Sequence, residues 1–121
     1  MLNNDTEVDP NFLDTIIASV ESDPKIGMAG STVFYFDSPD VIWFAGAHAN
    51  WVSGDMVDPR VGKQLGTGLP RLEDVDEVAG AGMLVRRQVI EQVGMLDPRF
   101  FIYYEETDWC QRAKTAICYA S

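Results

Sequence analysis

Basic residues, histidine and cysteine are scarce in this sequence. Its 121 residues include 9 Lys and Arg, 1 His and 2 Cys against 19 Asp and Glu, so the formal net charge is −10 at pH 7. Proteins that bind nucleic acid or anionic membranes neutralise phosphates with a basic surface, so this balance argues against both partners. A phosphorylated ligand is compatible with the charge if a divalent cation or a few arginines neutralise the phosphates.

The cysteines and the apolar runs bear on the cellular setting. Cys110 and Cys118 are 8 residues apart, which matches neither a CxxC redox motif nor the spacing of zinc ligands. The longest apolar runs, such as 41–47, are too short to cross a bilayer, and no signal peptide is recognisable. We therefore predict a protein of the reducing cytoplasm without a transmembrane span, with the inner face of the membrane as an alternative location.

The distribution of apolar residues predicts one α/β domain. Apolar residues form 46% of the chain, which is enough to bury a core. Helices are indicated by apolar spacing and capping residues, and strands by β-branched and aromatic runs between turn residues. The predicted elements are helices starting at Asp9-Pro10, over 87–93 and over 105 to about 116, and strands at 26–36, 41–46 and 75–85.

Two further segments contain most of the glycine and aromatic residues of interest. Glycine and proline recur over 50–73 with weak periodicity, which predicts a long surface loop. Trp51 lies in this loop and is the tryptophan best placed to contact a sugar, whereas Trp43 and Trp109 are expected in the core. The aromatic run 100–104 is predicted to be extended and buried.

Two polar clusters carry the candidate chemistry. One is Asn-Asn-Asp at 3–5, and the other is Glu-Glu-Thr-Asp at 105–108, where a helix is predicted to start. By local pattern alone, Asn and Asp form a turn, and carboxylates at a helix start interact favourably with the helix dipole. The same reasoning pairs Asp108 with Arg112, four residues later, as an ion pair on the helix surface.

Three motifs in series resemble a known family. They are NNDTEVDPNFL at 3–13, GAGMLVRR at 80–87 and VGMLDPRFFIYYEETDWCQR at 93–112. In wording, order and spacing they are similar to the family 2 glycosyltransferases, especially the rhamnosyltransferase-like branch, over nearly the whole chain. The resemblance implies a GT-A fold, in which helices flank a mixed sheet and a nucleotide-binding portion precedes the first motif. Residues 1–121 are therefore expected to be one partial glycosyltransferase domain that lacks this portion.

The resemblance also implies a reaction and its residues. A sugar would pass from a nucleotide-diphosphate donor to a hydroxyl of a glycan or lipid-linked acceptor, with inversion. Mg²⁺ or Mn²⁺ would neutralise the leaving diphosphate, and Asp5 and Asn3 occupy the positions of its ligands. Glu106 is the expected base by register, and Glu105 stays open as the alternative. The remaining donor or acceptor contacts implied are Gly80, Ala81, Gly82, Asp108, Arg112 and Trp51.

The absence of the nucleotide-binding portion has two expected consequences and leaves one alternative function. A sheet cut at this point would expose strand edges, so we expect the chain to self-associate as a dimer and to be inactive alone. The alternative is a non-catalytic acidic module that binds a glycan or a protein through its long loop and aromatic side chains.

Overall fold

The computed structural model describes residues 1–66 and 69–119. These residues form three helices and six strands, which confirms the predicted α/β class. The elements are α1 (Phe12–Glu21), β1 (Met28–Gly30), β2 (Val33–Tyr35), β3 (Ser38–Phe44), β4 (His48–Asn50), β5 (Asp55–Val57), β6 (Met83–Val85), α2 (Arg87–Val93) and α3 (Glu105–Tyr119).

Strand β6 has a pairing partner on each side. On one side β1 runs antiparallel to it, with Ala29 opposite Leu84. On the other side Leu2 forms an antiparallel bridge with Gly82. Residues 1–3 and β1 therefore run in the same direction but are separated by β6, and α1 connects them. A mixed sheet was expected, but among the described residues every strand pairing is antiparallel. The two segments that run parallel to each other, residues 1–3 and β1, do not pair because β6 lies between them.

Two hairpins make up the rest of the strand structure. Strands β2 and β3 pair antiparallel around Phe36 and Asp37, with an irregular register. Strands β4 and β5 pair antiparallel with Ala49 opposite Met56, so the prediction of a loop from residue 50 onward is wrong over 50–57. The tight turn forms because Asn50 Oδ1 accepts the Val52 N–H at 3.0 Å, an Asx turn that brings the strands together. Residues 67 and 68 of the predicted loop lie outside the described residues.

The core consists of two apolar clusters joined by β6. In one, Ile16 and Val20 of α1 pack against Ala29 of β1. In the other, Met83 of β6 packs against Trp109 and Cys110 of α3. Burial of these side chains provides the main stabilisation of the fold.

The ends of two helices test the capping predictions. Helix α1 begins at Phe12, two residues after the predicted Pro10, because Asp9 Oδ1 accepts the Asn11 N–H at 2.8 Å in a turn that precedes the helix. Gly94 ends α2 with a positive φ of 79°, which confirms it as the C-terminal cap.

Within the described ranges, no helix is long and apolar enough to cross a membrane.

The tryptophans and the aromatic run divide between core and surface. Trp109 is buried, as expected, and its indole N–H donates to the Gly94 carbonyl at 2.9 Å. Trp43 is exposed, so its placement in the core is wrong. The aromatic run is exposed as well, with Phe101 98% accessible. It cannot be extended because Tyr103 and Tyr104 both have φ of 64°, a left-handed conformation that curls the chain into α3.

Candidate functional site

The three sequence motifs meet at the turn formed by Gly80, Ala81 and Gly82, which we call the Gly80 turn. The Asn3 N–H donates to the Ala81 carbonyl at 3.1 Å. The Gly80 N–H donates to Glu106 Oε1 at 3.1 Å. The turn is therefore bonded on one side to the first motif and on the other to the start of α3. Segments far apart in the chain are in this way brought to one place.

Glycine is favoured in this turn because a side chain approaches the backbone closely at both Gly80 and Gly82. A Cβ atom at residue 80 would overlap Glu106 Oε1 and would lie 3.0 Å from its Cδ. A Cβ atom at residue 82 would lie 2.5 Å from Ser31 Oγ. The sequence predicted a close approach of a ligand or another backbone at these glycines, and in the structure the neighbours are protein side chains.

Three carboxyl groups surround the start of α3. Burial and the neighbouring charge of Glu105 raise the pKa of Glu106. Burial also raises the pKa of Glu77, and the charge of Glu106 adds to this increase. Glu105 Oε2 is buried and has no hydrogen-bond partner in the described part of the chain. The environment of Glu106 and Glu77 therefore favours their protonated forms, which is the property expected of a general base.

Glu77 and Thr107 are the parts of this cluster that sequence reasoning missed. The Thr107 hydroxyl donates to Glu77 Oε1 at 3.0 Å. The only local signal was an acidic residue inside the apolar, strand-like run 75–85, and that pattern predicts no partner. The pairing depends on the packing of α3 against this run.

The segment that carries Glu77 is held between the β4–β5 hairpin and α3. Glu77 exchanges backbone hydrogen bonds with Ala47, at 3.0 and 3.1 Å. Asp76 accepts the Ala49 N–H at 2.9 Å and the Lys114 ammonium at 2.6 Å. The hydrogen bonds from Lys114 and from the Ala49 N–H lower the pKa of Asp76, so this carboxylate stays ionised to lower pH than a free one. The position of the carboxyl cluster is thus tied to two elements of the fold.

Asp5 and Asn3, the expected metal ligands, lie on the exposed N-terminal segment. The Thr6 hydroxyl donates to the Asn3 carbonyl at 2.7 Å and forms a turn there. Within the described residues, no group of three or more His, Cys, Asp or Glu side chains is placed to hold a metal ion. Carboxylate and amide oxygens suit Mg²⁺ or Mn²⁺, and such sites are commonly completed by substrate phosphates and water. The role of Asp5 and Asn3 as ligands of a cation stays a prediction.

Asp108 and Arg112 form the ion pair that their spacing predicts. Arg112 Nε donates to Asp108 Oδ2 at 2.8 Å. The guanidinium also donates to the carbonyls of Val93 and Met95, the latter at 3.0 Å. Arg112 thereby connects α3 to the end of α2, and a diphosphate would compete with these bonds. Its contact with a donor stays a prediction.

Trp51 and a neighbouring cavity lie outside this bonded group. Trp51 is at the tip of the β4–β5 hairpin and is 81% exposed, so its flat face is available to a ligand. A cavity of about 570 Å³ lies between β1, the segment 69–78 and α3. Glu77 and Cys110 contribute to its wall. The cavity therefore borders the carboxyl cluster at Glu77, whereas Glu106 and Asp5 are not in its lining.

Comparison with known proteins gives one partial similarity. Over 43 residues, 36% of this chain, the sequence is 44% identical to the low-salt glycan biosynthesis hexosyltransferase Agl10 of Haloferax volcanii. The matched segment covers 14% of that relative, so the chain spans a small part of its length. No family model matches the chain, and no solved structure matches it. The similarity points to glycosyltransferases in general and does not identify a family.

Proposed function

We propose that this chain is part of a glycosyltransferase that transfers a sugar from a nucleotide-diphosphate donor to a hydroxyl acceptor. The observation that carries the proposal is the meeting of the three motifs at the Gly80 turn, through the hydrogen bonds of Asn3 to Ala81 and of Gly80 to Glu106. A candidate cation-binding segment and a candidate base thereby border the same turn. The partial similarity to a hexosyltransferase supports the same class of enzyme.

Glu106 is the proposed general base. It accepts the proton of the acceptor hydroxyl while that oxygen bonds to the anomeric carbon of the donor. The bond from that carbon to the diphosphate breaks, and the diphosphate leaves with the electron pair. Attack on the face opposite the leaving group inverts the configuration. The raised pKa of Glu106 supports this role, because a base of greater proton affinity accepts the proton more readily.

The electrostatic part of the proposal concerns the leaving group. A bound Mg²⁺ or Mn²⁺ would neutralise the charge of the diphosphate, with Asp5 and Asn3 as the protein ligands. Glu105 is the alternative base, because its Oε2 has no partner within the described residues. Its charge also adds to the raised pKa of Glu106.

The finer assignments rest on the order of the motifs. We propose a member of family 2, in the rhamnosyltransferase-like branch, with a GT-A fold of which this chain forms the acceptor side. Among the described residues β1 pairs with β6 alone, and this free edge of β1 supports self-association. Sedimentation at micromolar concentration tests it, since a monomer alone would contradict the proposed dimer.

Calorimetric titration of UDP and dTDP, each with and without Mn²⁺, tests the proposed function. We expect binding that requires the metal and that is lost in Asp5→Ala. Asp37→Ala is the matched control, because Asp37 is equally exposed but lies at the tip of the β2–β3 hairpin. Binding of neither nucleotide, or binding that Asp5→Ala leaves intact, would contradict the proposed donor site.

The second candidate is a non-catalytic module that binds a glycan or a protein. The exposed aromatic run 101–104 favours it, because aromatic faces left in water are typical of recognition surfaces. This candidate predicts that the chain binds an oligosaccharide but no nucleotide. Substitution of Phe101 by Ala would then weaken binding, while Asp5→Ala would have no effect.

A further inference from the structure

We propose that Glu77 is a positioning residue for Glu106, which it holds at the Gly80 turn through Thr107. The inference rests on the proposed function, in which Glu106 accepts the proton of the acceptor. Glu77 belongs to none of the three motifs, and its part in the site emerges from the structure alone. It does not itself touch the reacting atoms in this proposal.

Two hydrogen bonds join the same pair of short segments. Thr107 donates to Glu77 Oε1 at 3.0 Å, and Gly80 donates to Glu106 Oε1 at 3.1 Å. Glu77 and Gly80 lie on one segment, and Glu106 and Thr107 are consecutive in the first turn of α3. We call this pair of bonds the clasp. Because the two bonds share both segments, loosening one lets the other lengthen.

The Glu77 side of the clasp is a firm anchor. Its backbone is bonded in both directions to Ala47, next to the β4–β5 hairpin. The Asp76 carbonyl accepts from the Gln111 side chain at 3.1 Å, one helical turn beyond Thr107. The segment therefore cannot follow α3 if the first helical turn shifts. Glu77 transmits this fixed position to Thr107 and, through it, to Glu106.

Charge also couples Glu77 to Glu106, whose carboxylate raises the pKa of Glu77. The groups that face Glu106 are Glu105 and Cys110 on its own helix and Glu77 on the packed segment. Lys114, also on α3, is bonded to Asp76. Repulsion between the ionised carboxyl groups of Glu77 and Glu106 disfavours having both of them charged at once. Removal of the Glu106 charge should therefore lower the pKa of Glu77.

Two variants separate the hydrogen bond from the charge. Thr107→Val removes the donor and keeps the charge of Glu77, so the Gly80 amide should exchange with solvent roughly fivefold faster. Thr107→Ser keeps the hydroxyl and should restore the parent rate. Glu77→Gln keeps an acceptor oxygen and removes the charge, so exchange at Gly80 should stay within about twofold of the parent rate. Glu106→Gln removes the other charge, so the carboxyl titration of Glu77 should move to lower pH. Both quantities are measured by NMR on the whole chain.

Glu21→Gln is the control for general charge effects, because Glu21 is exposed at the end of α1. It should change neither quantity. The inference is overturned if Thr107→Val leaves Gly80 exchange unchanged, or if Thr107→Ser does not restore the parent rate. Should Thr107→Val not fold, Glu77→Asp makes the same test, because the shorter side chain keeps the charge but withdraws from Thr107.

These measurements need no donor or acceptor, so the two proposals can fail separately. If neither UDP nor dTDP binds while the clasp responds as expected, the proposed function fails and the positioning of Glu106 by Glu77 stands. If a nucleotide binds with Mn²⁺ while the clasp variants match the parent, the positioning role fails alone. In an active enzyme, Thr107→Val should lower kcat more than it raises KM.

Discussion

Gly80→Ala is the substitution for which the structure makes the sharpest prediction. The new Cβ would overlap Glu106 Oε1 and would lie 3.0 Å from its Cδ and 3.1 Å from its Cγ. Because Glu106 has a flexible side chain, its carboxyl group can move away, and the hydrogen bond from the Gly80 N–H is then lost. The loss of that bond together with local crowding should destabilise the protein by about 1–2 kcal/mol.

Urea unfolding, followed by the fluorescence of the tryptophans, measures this cost. We expect a lower midpoint with an unchanged slope, since the surface exposed on unfolding is the same. Gly66→Ala is the matched control, because a Cβ there meets its nearest described atom, the Gln64 carbonyl oxygen, at 3.9 Å. This control also measures the effect of replacing glycine on the unfolded chain, which is about 0.4–1 kcal/mol in the stabilising direction where the native backbone tolerates alanine.

A double-mutant cycle with Glu106→Ala identifies the partner of the clash. Once the Glu106 side chain is shortened, Gly80→Ala has nothing to displace, so its cost should fall below about 0.5 kcal/mol. The reasoning is refuted if Gly80→Ala is as stable as Gly66→Ala, or if its cost is the same with and without the Glu106 side chain. In either case the close approach would not exist in solution.

Four further predictions follow from the same geometry. In steady-state kinetics, Glu106→Gln should slow sugar transfer by about 10²–10⁴-fold, and Glu105→Gln should slow it by much less. A larger loss of activity in Glu105→Gln than in Glu106→Gln would make Glu105 the base. The folded pKa of Glu77 is raised above its usual 4.5, so the parent loses stability as pH rises from 4.5 through the raised value. In urea unfolding, the stability of Glu77→Gln should therefore increase relative to the parent over that range. A stability difference that does not change with pH would contradict this. Arg112→Ala should lower the free energy of unfolding by roughly 2 kcal/mol in the same assay, because α3 loses its hydrogen bonds to the end of α2. A change near zero would show that these bonds do not stabilise the fold. The net charge of −10 makes the folded chain repel itself. Raising KCl from 0.1 to 1 M shortens the screening length from about 10 Å to about 3 Å, so the melting temperature should rise. An unchanged or lower melting temperature would contradict a role for charge repulsion.

Elements with strong local signals were predicted correctly from the sequence. Helix α2 ends at Gly94 as expected, and α3 begins at Glu105 as expected. Capping residues and helical periodicity act over a few residues, so they can be recognised without tertiary contacts. The helix before β1 was also predicted, although it begins at Phe12 because the Asp9 side chain forms a turn first.

For two of the local interpretations that were wrong, the structure gives the physical reason. The β4–β5 hairpin was assigned to a loop, because the hydrogen bond of Asn50 that closes its turn is not apparent from composition. The run 100–104 was expected to be buried because it is aromatic. Two successive left-handed residues, Tyr103 and Tyr104, turn that run outward instead.

The sequence by itself determined the α/β class, the acidic charge and the order of the three motifs, because these depend on composition and on neighbouring residues. Only the tertiary structure decided that Asn3, the Gly80 turn and Glu106 meet, and that Glu77 joins them through Thr107. These contacts join segments far apart in the chain, and they form only when β6 pairs with residues 1–3 and α3 packs against the run that carries Glu77. A hydrogen bond across such a distance depends on the packing of the whole domain, which local residue patterns do not specify.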